Sequence, residues 1–495
     1  MMSVAQVILI TAVQFILYRL LLKTIGIERL GIWSVVLATT SVAQIANLGL
    51  SAGVVKFVAK YLARGEEETV VAVIQTTVIS LGLFFALILV VVYSVIGMLL
   101  GLVVPTAHLK EALSIVPFAL LSLWITVLAG VYQAGLDGYQ RIDLRSKLLM
   151  SVSVVNLIVC YVLVPKFGLM GLAYAQVAQS GLLLIGSGLV LKRRLPVLPL
   201  IPSRWNREVF REMLGYGLNF QVITISQMLC DPITKSLLSK FGGLSMTGFY
   251  EMAGRMVMQV RAMIVSANQV LTPAFADLEV RNPEMIRKLY KDSFRLILYV
   301  AVPSYAALIA FTPILSELWI GHYEKVFILF SVLLAAGSFV NTLAGPAYFV
   351  NLGTGELRWN TWAHVIIGVS NLALGWFFGG ILGGKAVVIA WVISLTAGSL
   401  VIPFSYHYKN KIPVVDLVSK ENGRILLASL LGLFFSLLFY NQMNHRLAPL
   451  VLAALCVFFF SAILVVPIWL HPMRKRSMAW IADEFLQVRK VMAEK

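Results

Sequence analysis

The stretch SQMLCDPITKSLLSKFGGLSMTGFYEMAGRMVMQVRAMIVSANQV, residues 226–270, is long and apolar enough for two membrane crossings, yet it carries Asp231, Lys235, Glu251, Arg255 and Arg261. Apolar runs of about 20 residues read as transmembrane helices, and an ionisable side chain at bilayer depth is costly enough to point to function. Similar runs recur from Val4 to Leu470. The chain therefore reads as an all-α polytopic membrane protein that handles something polar. Hydrophobic residues make up 59% of the sequence and charged ones 13%, with mean hydropathy +0.88, which excludes a water-soluble globule.

Polar breaks divide the sequence into about fourteen transmembrane segments: 3–22, 30–62, 69–101, 111–136, 148–164, 169–191, 213–240, 246–276, 292–315, 326–350, 359–379, 386–406, 424–440 and 448–470. With a cytoplasmic amino terminus, most of the 40 Lys and Arg fall in inside loops, so the positive-inside rule puts both termini in the cytoplasm. The net charge of +17 is then topology and anionic-lipid contact, and no nucleic-acid partner is expected. The densest inside cluster is Lys192, Arg193, Arg194, Arg204, Arg207 and Arg211. Outside loops are short, leaving no room for an extracytoplasmic catalytic domain. The first segment lacks a basic leader, so a removable signal peptide is not expected. After Leu470, Ile481, Phe485, Val488 and Met492 recur at helical spacing and predict a cytoplasmic amphipathic tail.

A shift of 217 residues superimposes Gly31 and Trp33 on Gly248 and Tyr250, Ala59, Arg64 and Glu67 on Ala276, Arg281 and Glu284, and Gly138 and Arg141 on Gly355 and Arg358. The offset predicts a duplicated six-helix unit; because six is even, both copies insert with the same polarity, related by a pseudo-two-fold axis along the membrane normal. The expected organisation is an N-lobe at 1–191, a basic cytoplasmic linker at 192–212, a C-lobe at 213–408, two extra helices within 409–470 and the tail at 471–495. A central cavity between the lobes follows as an expectation.

On a 100° helical projection, Glu251, Arg255, Gln259, Arg261, Ser266, Asn268 and Gln269 share one half of their helix, while Met252, Met256, Val260, Met263 and Ile264 share the other. A half-polar helix at depth turns its polar half to protein or water. Arg255, Arg261 and Lys235 are the first candidates for contact with an anionic ligand, with an interhelical structural pair as the alternative reading of Arg261; Arg19, Lys56 and Lys60 are secondary, because each also sits near a helix end where it can snorkel. Gln227, Gln259 and Asn268 are candidate hydrogen-bonding groups. Asp231 with Lys235, and Glu251 with Arg255, are spaced four apart and read either as structural pairs or as ion-coupling sites. Pro232 permits a bend. The six histidines and three cysteines are scattered without ligand spacing, so neither a metal site nor a disulfide framework is expected. No cofactor is expected either: phosphate-loop, dinucleotide and nucleophile-elbow motifs are missing.

The stretches LGIWSVVLATTSVAQIANLGLSAGVVKFVAKYLARGE at 30–66, YQAGLDGYQR at 132–141, FGLMGLAYAQVAQ at 167–179 and GFYEMAGRMVMQVRAMIVSANQVLTPAFADL at 248–278 resemble the polysaccharide flippases of the multidrug/oligosaccharidyl-lipid/polysaccharide (MOP) exporter superfamily, O-antigen (Wzx-type) branch. The resemblance implies twelve to fourteen helices in two lobes around a cavity. It further implies outward movement of undecaprenyl-diphosphate-linked oligosaccharide across the bacterial cytoplasmic membrane by alternating access, alongside glycosyltransferases and a polymerase of the same lipopolysaccharide pathway. Drug exporters of the superfamily are expected to carry an acid in helix one, where this chain has none before Glu28. A cation-coupled drug antiporter is therefore the second reading, and a membrane glycosyltransferase or polymerase the third.

Overall fold

A computed structural model describes residues 2–47, 50–218, 221–268, 271–413 and 417–474. Among these the regular structure is all helical. The helices are α1 (Met2–Thr24), α2 (Gly26–Ser41), α3 (Leu50–Leu62), α4 (Glu67–Val103), α5 (Thr106–Gly138), α6 (Ile142–Phe167), α7 (Leu169–Lys192), α8 (Arg207–Leu218), α9 (Gln221–Asn268), α10 (Leu271–Arg281), α11 (Glu284–Trp319), α12 (Lys325–Leu343), α13 (Gly345–Gly353), α14 (Arg358–Leu382), α15 (Gly384–Asn410), α16 (Lys420–Met443) and α17 (Pro449–Leu470). Among the described residues eleven spans are long and apolar enough to cross a membrane. The predicted second, seventh and eighth segments fall outside that set for local reasons.

The second segment is broken. Thr39, Thr40 and Ser41 donate back to the carbonyls of Val35, Val36 and Ala38, a competition that bends helices, and α2 gives way to a 3-10 turn at Val42–Asn47. The seventh and eighth segments are both in α9, which carries those five charges and Lys240 and is interrupted at Gly243, with φ 82 and ψ 174, a conformation open only to glycine. The tenth segment is also divided, with Pro346 near the start of α13, where its missing N–H costs nothing.

By packing, the chain forms two units: residues 2–248 with 372–387, and residues 249–371 with 388–495. In the first, α5 is the central helix, packed by α2, α3, α4 and α7. Its surface is apolar, with Leu83, Leu87, Val90 and Met98 exposed along α4, while Gln75, Thr76, Thr77, Asn156 and Ser187 are buried. Apolar outside and polar inside is the arrangement a bilayer demands. In the second unit α11 is central: Ala310 packs with Ala428, Phe460 and Leu464, and Ile314 with Tyr440, Leu452 and Cys456, which fastens α16 and α17 to it.

The 217-residue relationship reappears in the backbone. Gly26 and Gly243, one offset apart, both have φ 82. Within the first unit the two equivalent helix starts cross reciprocally: a β-carbon on Gly31 would lie 2.0 Å from the Leu244 carbonyl oxygen, and one on Gly248 would lie 2.5 Å from that of Ile27. Ser245 Oγ donates to Glu28 Oε1 at 3.4 Å across the same crossing. Each contact maps onto its counterpart under the shift. Inside each unit the correspondence is close but not exact: Val55 with Thr272 and Val58 with Phe275 are one offset apart, and they are met by Gly138 and by Gly353, which is 215 residues further on.

The basic linker is not an extended tether. Gln75 Oε1 accepts from the backbone N–H groups of Ser203 (2.9 Å) and Arg204 (3.0 Å), Asn206 N–H donates to Thr76 Oγ1, and the Trp205 indole donates to Ser80. Buried hydroxyls and an amide on α4 thus hold the linker down, and Met213 of α8 packs beside Thr77. The predicted amphipathic tail from residue 475 onward lies outside the described residues.

Candidate functional site

The site is built on the second half of α9. Glu251 is buried, 5% exposed, and Arg255 Nε donates to its Oε1 at 2.7 Å, so the pair neutralises itself within the helix as the spacing of four allows. The Arg255 side chain remains 47% exposed. One and a half turns further on, Arg261 is half-buried, and Nε donates to Asn341 Oδ1 of α12 at 3.1 Å. Asn341 is itself oriented by α15, its Nδ2 donating to Ser399 Oγ at 2.9 Å. Tyr305 of α11 and His364 of α14 lie within electrostatic reach of the guanidinium, and Tyr305 is hydrogen-bonded to Thr342 at 3.0 Å.

Five elements of one unit therefore converge on Arg261, and its hydrogen-bond partner is a neutral amide. Among the described residues no carboxylate pairs with it. A cation held away from bulk water by neutral groups retains its full charge for an incoming anion, whereas Arg255 has spent much of its charge on Glu251. The geometry ranks Arg261 above Arg255 as an anion contact. Gln259, half-buried on the same helix, stands between the two arginines in sequence. The side chain of Asn268 lies outside the described residues.

The remaining candidates belong to the other unit. Lys235 is 8% exposed and its Nζ stands 2.7 Å from Asp231 Oδ2, whose side chain is 55% exposed. That pair forms as its spacing predicts, with the lysine rather than the acid buried. Arg19 is exposed on α1. Lys56 is exposed and lies over the Phe57 ring, while Lys60 Nζ is 2.8 Å from Glu212 Oε1, with the Tyr61 hydroxyl donating to Oε2 at 2.8 Å. Lys60 thus anchors the linker. Hydrogen bonding from Lys60 holds the Glu212 carboxyl below its usual range. The Gln227 side chain lies outside the described residues. Asn341, Ser399, Tyr305, Thr342 and His364 were not predicted; the available signal was a polar residue inside an otherwise apolar segment, clearest for Asn341 and His364.

Known proteins carry the assignment further. A family described as polysaccharide biosynthesis protein matches residues 16–323, which is more than half of the chain. The chain belongs to this family. Its fold is that of MOP superfamily transporters. An inward-facing multidrug resistance MATE family transporter of that superfamily is 17% identical, with 81% of this chain and 94% of that chain aligned at a TM-score of 0.68. The lipid II flippase MurJ in an inward closed conformation is 14% identical, with 93% and 97% aligned at 0.66. A MOP superfamily transporter from Pyrococcus furiosus is 16% identical, with 83% and 94% aligned at 0.58. A search of curated proteins gave no match. At these identities the likeness establishes the fold; the polysaccharide biosynthesis family carries the biological context.

Proposed function

We propose that this family member is a lipid-linked oligosaccharide flippase, moving undecaprenyl-diphosphate-linked glycan units from the inner to the outer leaflet of the bacterial cytoplasmic membrane by alternating access. The observation that carries the reading is Arg261, a half-buried cation on α9 whose described partner is the neutral Asn341. An uncompensated charge in such a place costs several kcal/mol, and the arrangement is economical when the transported group brings the opposite charge. A diphosphate does so. As the anionic headgroup loses water, Arg261 replaces part of its hydration, while the half-buried Gln259 offers a neutral partner for phosphate or sugar oxygens.

An inside-negative potential assists outward transfer by about 2.3 kcal/mol per charge per 100 mV for full passage across the field. Two charges at 100 mV would gain roughly 4.6 kcal/mol, a factor of about 2,000, so export does not require a catalytic group or cofactor. The protein acts as a transporter, not an enzyme. Both termini are taken to be cytoplasmic, the duplicated units at 1–191 and 213–408 to be the moving parts, and the glycosyltransferases and polymerase of an O-antigen-type pathway to be its functional neighbours. A cation-exporting drug antiporter is disfavoured by the same observation, since Arg261 would repel its substrate. In sealed vesicles, a fluorescent polyprenyl-diphosphate oligosaccharide should become accessible to an impermeant glycan-modifying reagent only when the protein is present; cation-coupled drug uptake without glycan transfer would overturn the reading.

A further inference from the structure

Helix α15 ends in a turn that places a lysine at a left-handed position, where most such positions among the described residues hold glycine. Ile412 N–H donates to the His407 carbonyl at 3.0 Å and Lys411 N–H to that of Tyr408 at 3.5 Å, the two bonds of a Schellman cap. The residue at its left-handed position is Lys411, with φ 49. Among the described residues seven positive-φ positions are glycine, and the exceptions are Gln140 and Lys411. A side chain there is strained, and such strain persists where the side chain itself is useful. The Lys411 carbonyl is held by Arg287, whose Nη2 donates to it at 3.4 Å.

The turn borders an open groove of about 890 Å³ lined by Phe404, His407, Tyr408, Lys409, Lys411 and Ile412, with Pro413 at its edge. His407 is 9% exposed; its Nε2 meets the hydroxyl of the fully buried Tyr290 at 2.5 Å, and its Nδ1 has no hydrogen-bond partner. Lys409 is paired with Glu356, so the groove keeps the charge of Lys411 as its net excess. Phe404 and Tyr408 are 58% and 90% exposed at the end of a membrane-crossing helix. Exposed aromatics beside lysines at that depth suit the interfacial belt, where an aromatic ring meets acyl chains and a cation meets phosphate.

We infer that this groove is a binding site for an anionic membrane phospholipid, with its phosphate at Lys411 and its acyl chains along Phe404 and Tyr408. The site is separate from the Arg261 cluster and does not depend on what is transported. Two observations support a built site: a strained lysine on a capped turn and an exposed aromatic edge beside it.

The test is native mass spectrometry of the full chain, delipidated in detergent and titrated with phosphatidylglycerol and phosphatidylcholine in equal amounts, beside thermal unfolding. The wild type should retain one phosphatidylglycerol in preference to phosphatidylcholine, and Lys411→Gly should weaken that retention about fivefold, the contribution of one lysine at an anionic surface. Because glycine relieves the left-handed backbone, its unfolding midpoint without lipid should not fall below the wild-type value. Lys411→Gln, which keeps a side chain there, should weaken retention to the same degree. Equal retention of both lipids, or unchanged phosphatidylglycerol binding in both variants, would overturn the proposal. Full displacement by inorganic phosphate would reassign the groove to a free oxyanion, and preferential capture of a polyprenyl diphosphate would reassign it to the transported lipid; either contradicts it.

Discussion

Replacing Gly31 by alanine tests the reciprocal crossing of the two helix starts that lie 217 residues apart. The added carbon would stand 2.0 Å from the Leu244 carbonyl oxygen, whereas ordinary contact begins at 3.4 Å, so backbone must move by about 1.4 Å with no flexible side chain to yield. Overpacking of this kind costs about 1–3 kcal/mol. At 2 kcal/mol the packed crossing would lose roughly 30-fold in population against a separated one. Gly248→Ala is the symmetry-related change; its carbon would meet the Ile27 carbonyl oxygen at 2.5 Å, a smaller shortfall of about 0.9 Å, so its penalty should be smaller. Gly254 in α9 has nothing within 4 Å of its added carbon, and there alanine should gain up to about 1 kcal/mol from helix propensity alone. Thermal unfolding of the three variants in one detergent should rank stability Gly254→Ala, then Gly248→Ala, then Gly31→Ala. The double variant at 31 and 248 should cost less than the sum of the singles, because one separation relieves both clashes. Equal midpoints for Gly31→Ala and Gly254→Ala, or strict additivity of the double, would refute a shared close crossing.

Gln75→Ala removes the acceptor of two linker N–H groups, and trypsin cleavage at Arg204 should accelerate severalfold; Glu212→Gln should accelerate it less, because Lys60 and Tyr61 still have an oxygen to bind. Glu251→Gln should be more damaging to expression and unfolding midpoint than Arg255→Gln. The first leaves Arg255 charged without its carboxylate, while the second leaves an acid that can neutralise by protonation; matching midpoints would show that the pair is not coupled. His471 accepts from Met473 N–H at Nδ1 (3.2 Å) and meets Asn422 Oδ1 through Nε2 (2.7 Å), so its neutral Nε2–H form is built in, and burial lowers its pKa from 6.5. A depressed folded value means the stabilisation is full above the unfolded range near 6.5 and is lost as pH falls through the folded value. The unfolding midpoint of His471→Asn should therefore be less sensitive than wild type to acidification below that range, and parallel profiles would contradict the assignment.

Segment positions were legible because the bilayer sets their length: 169–191 became Leu169–Lys192, and 448–470 became Pro449–Leu470. The 217-residue offset was legible at Gly31 and Gly248 because glycine is irreplaceable where they approach a backbone. The Asp231–Lys235 and Glu251–Arg255 pairs followed from helical spacing. Long-range partners did not. In a membrane protein, lipid-facing and core-facing positions are equally apolar, so hydrophobic periodicity gives little about which face packs; α4, which exposes Leu83, Leu87, Val90 and Met98, reads like a core helix. The Arg261 environment is contributed by α11, α12, α14 and α15, and Asn341 lies 80 residues from the arginine it holds. Linker docking was hidden for the same reason, because Gln75 and Ser203 are 128 residues apart. The breaks after Ser41 and at Ala344 depended on competing hydroxyl bonds and a proline, signals that length alone outweighed in the sequence reading.

The most direct measurement of the central claim is leaflet sidedness with Arg261 altered. In sealed vesicles, wild-type protein should carry a polyprenyl-diphosphate oligosaccharide across the bilayer; Arg261→Gln should reduce the rate by about tenfold or more, and Arg261→Lys should restore part of it by restoring the charge. An Arg261→Gln protein that inserts normally and transfers the glycan at the wild-type rate would contradict the account, because the charge on which the site is built would then have no role.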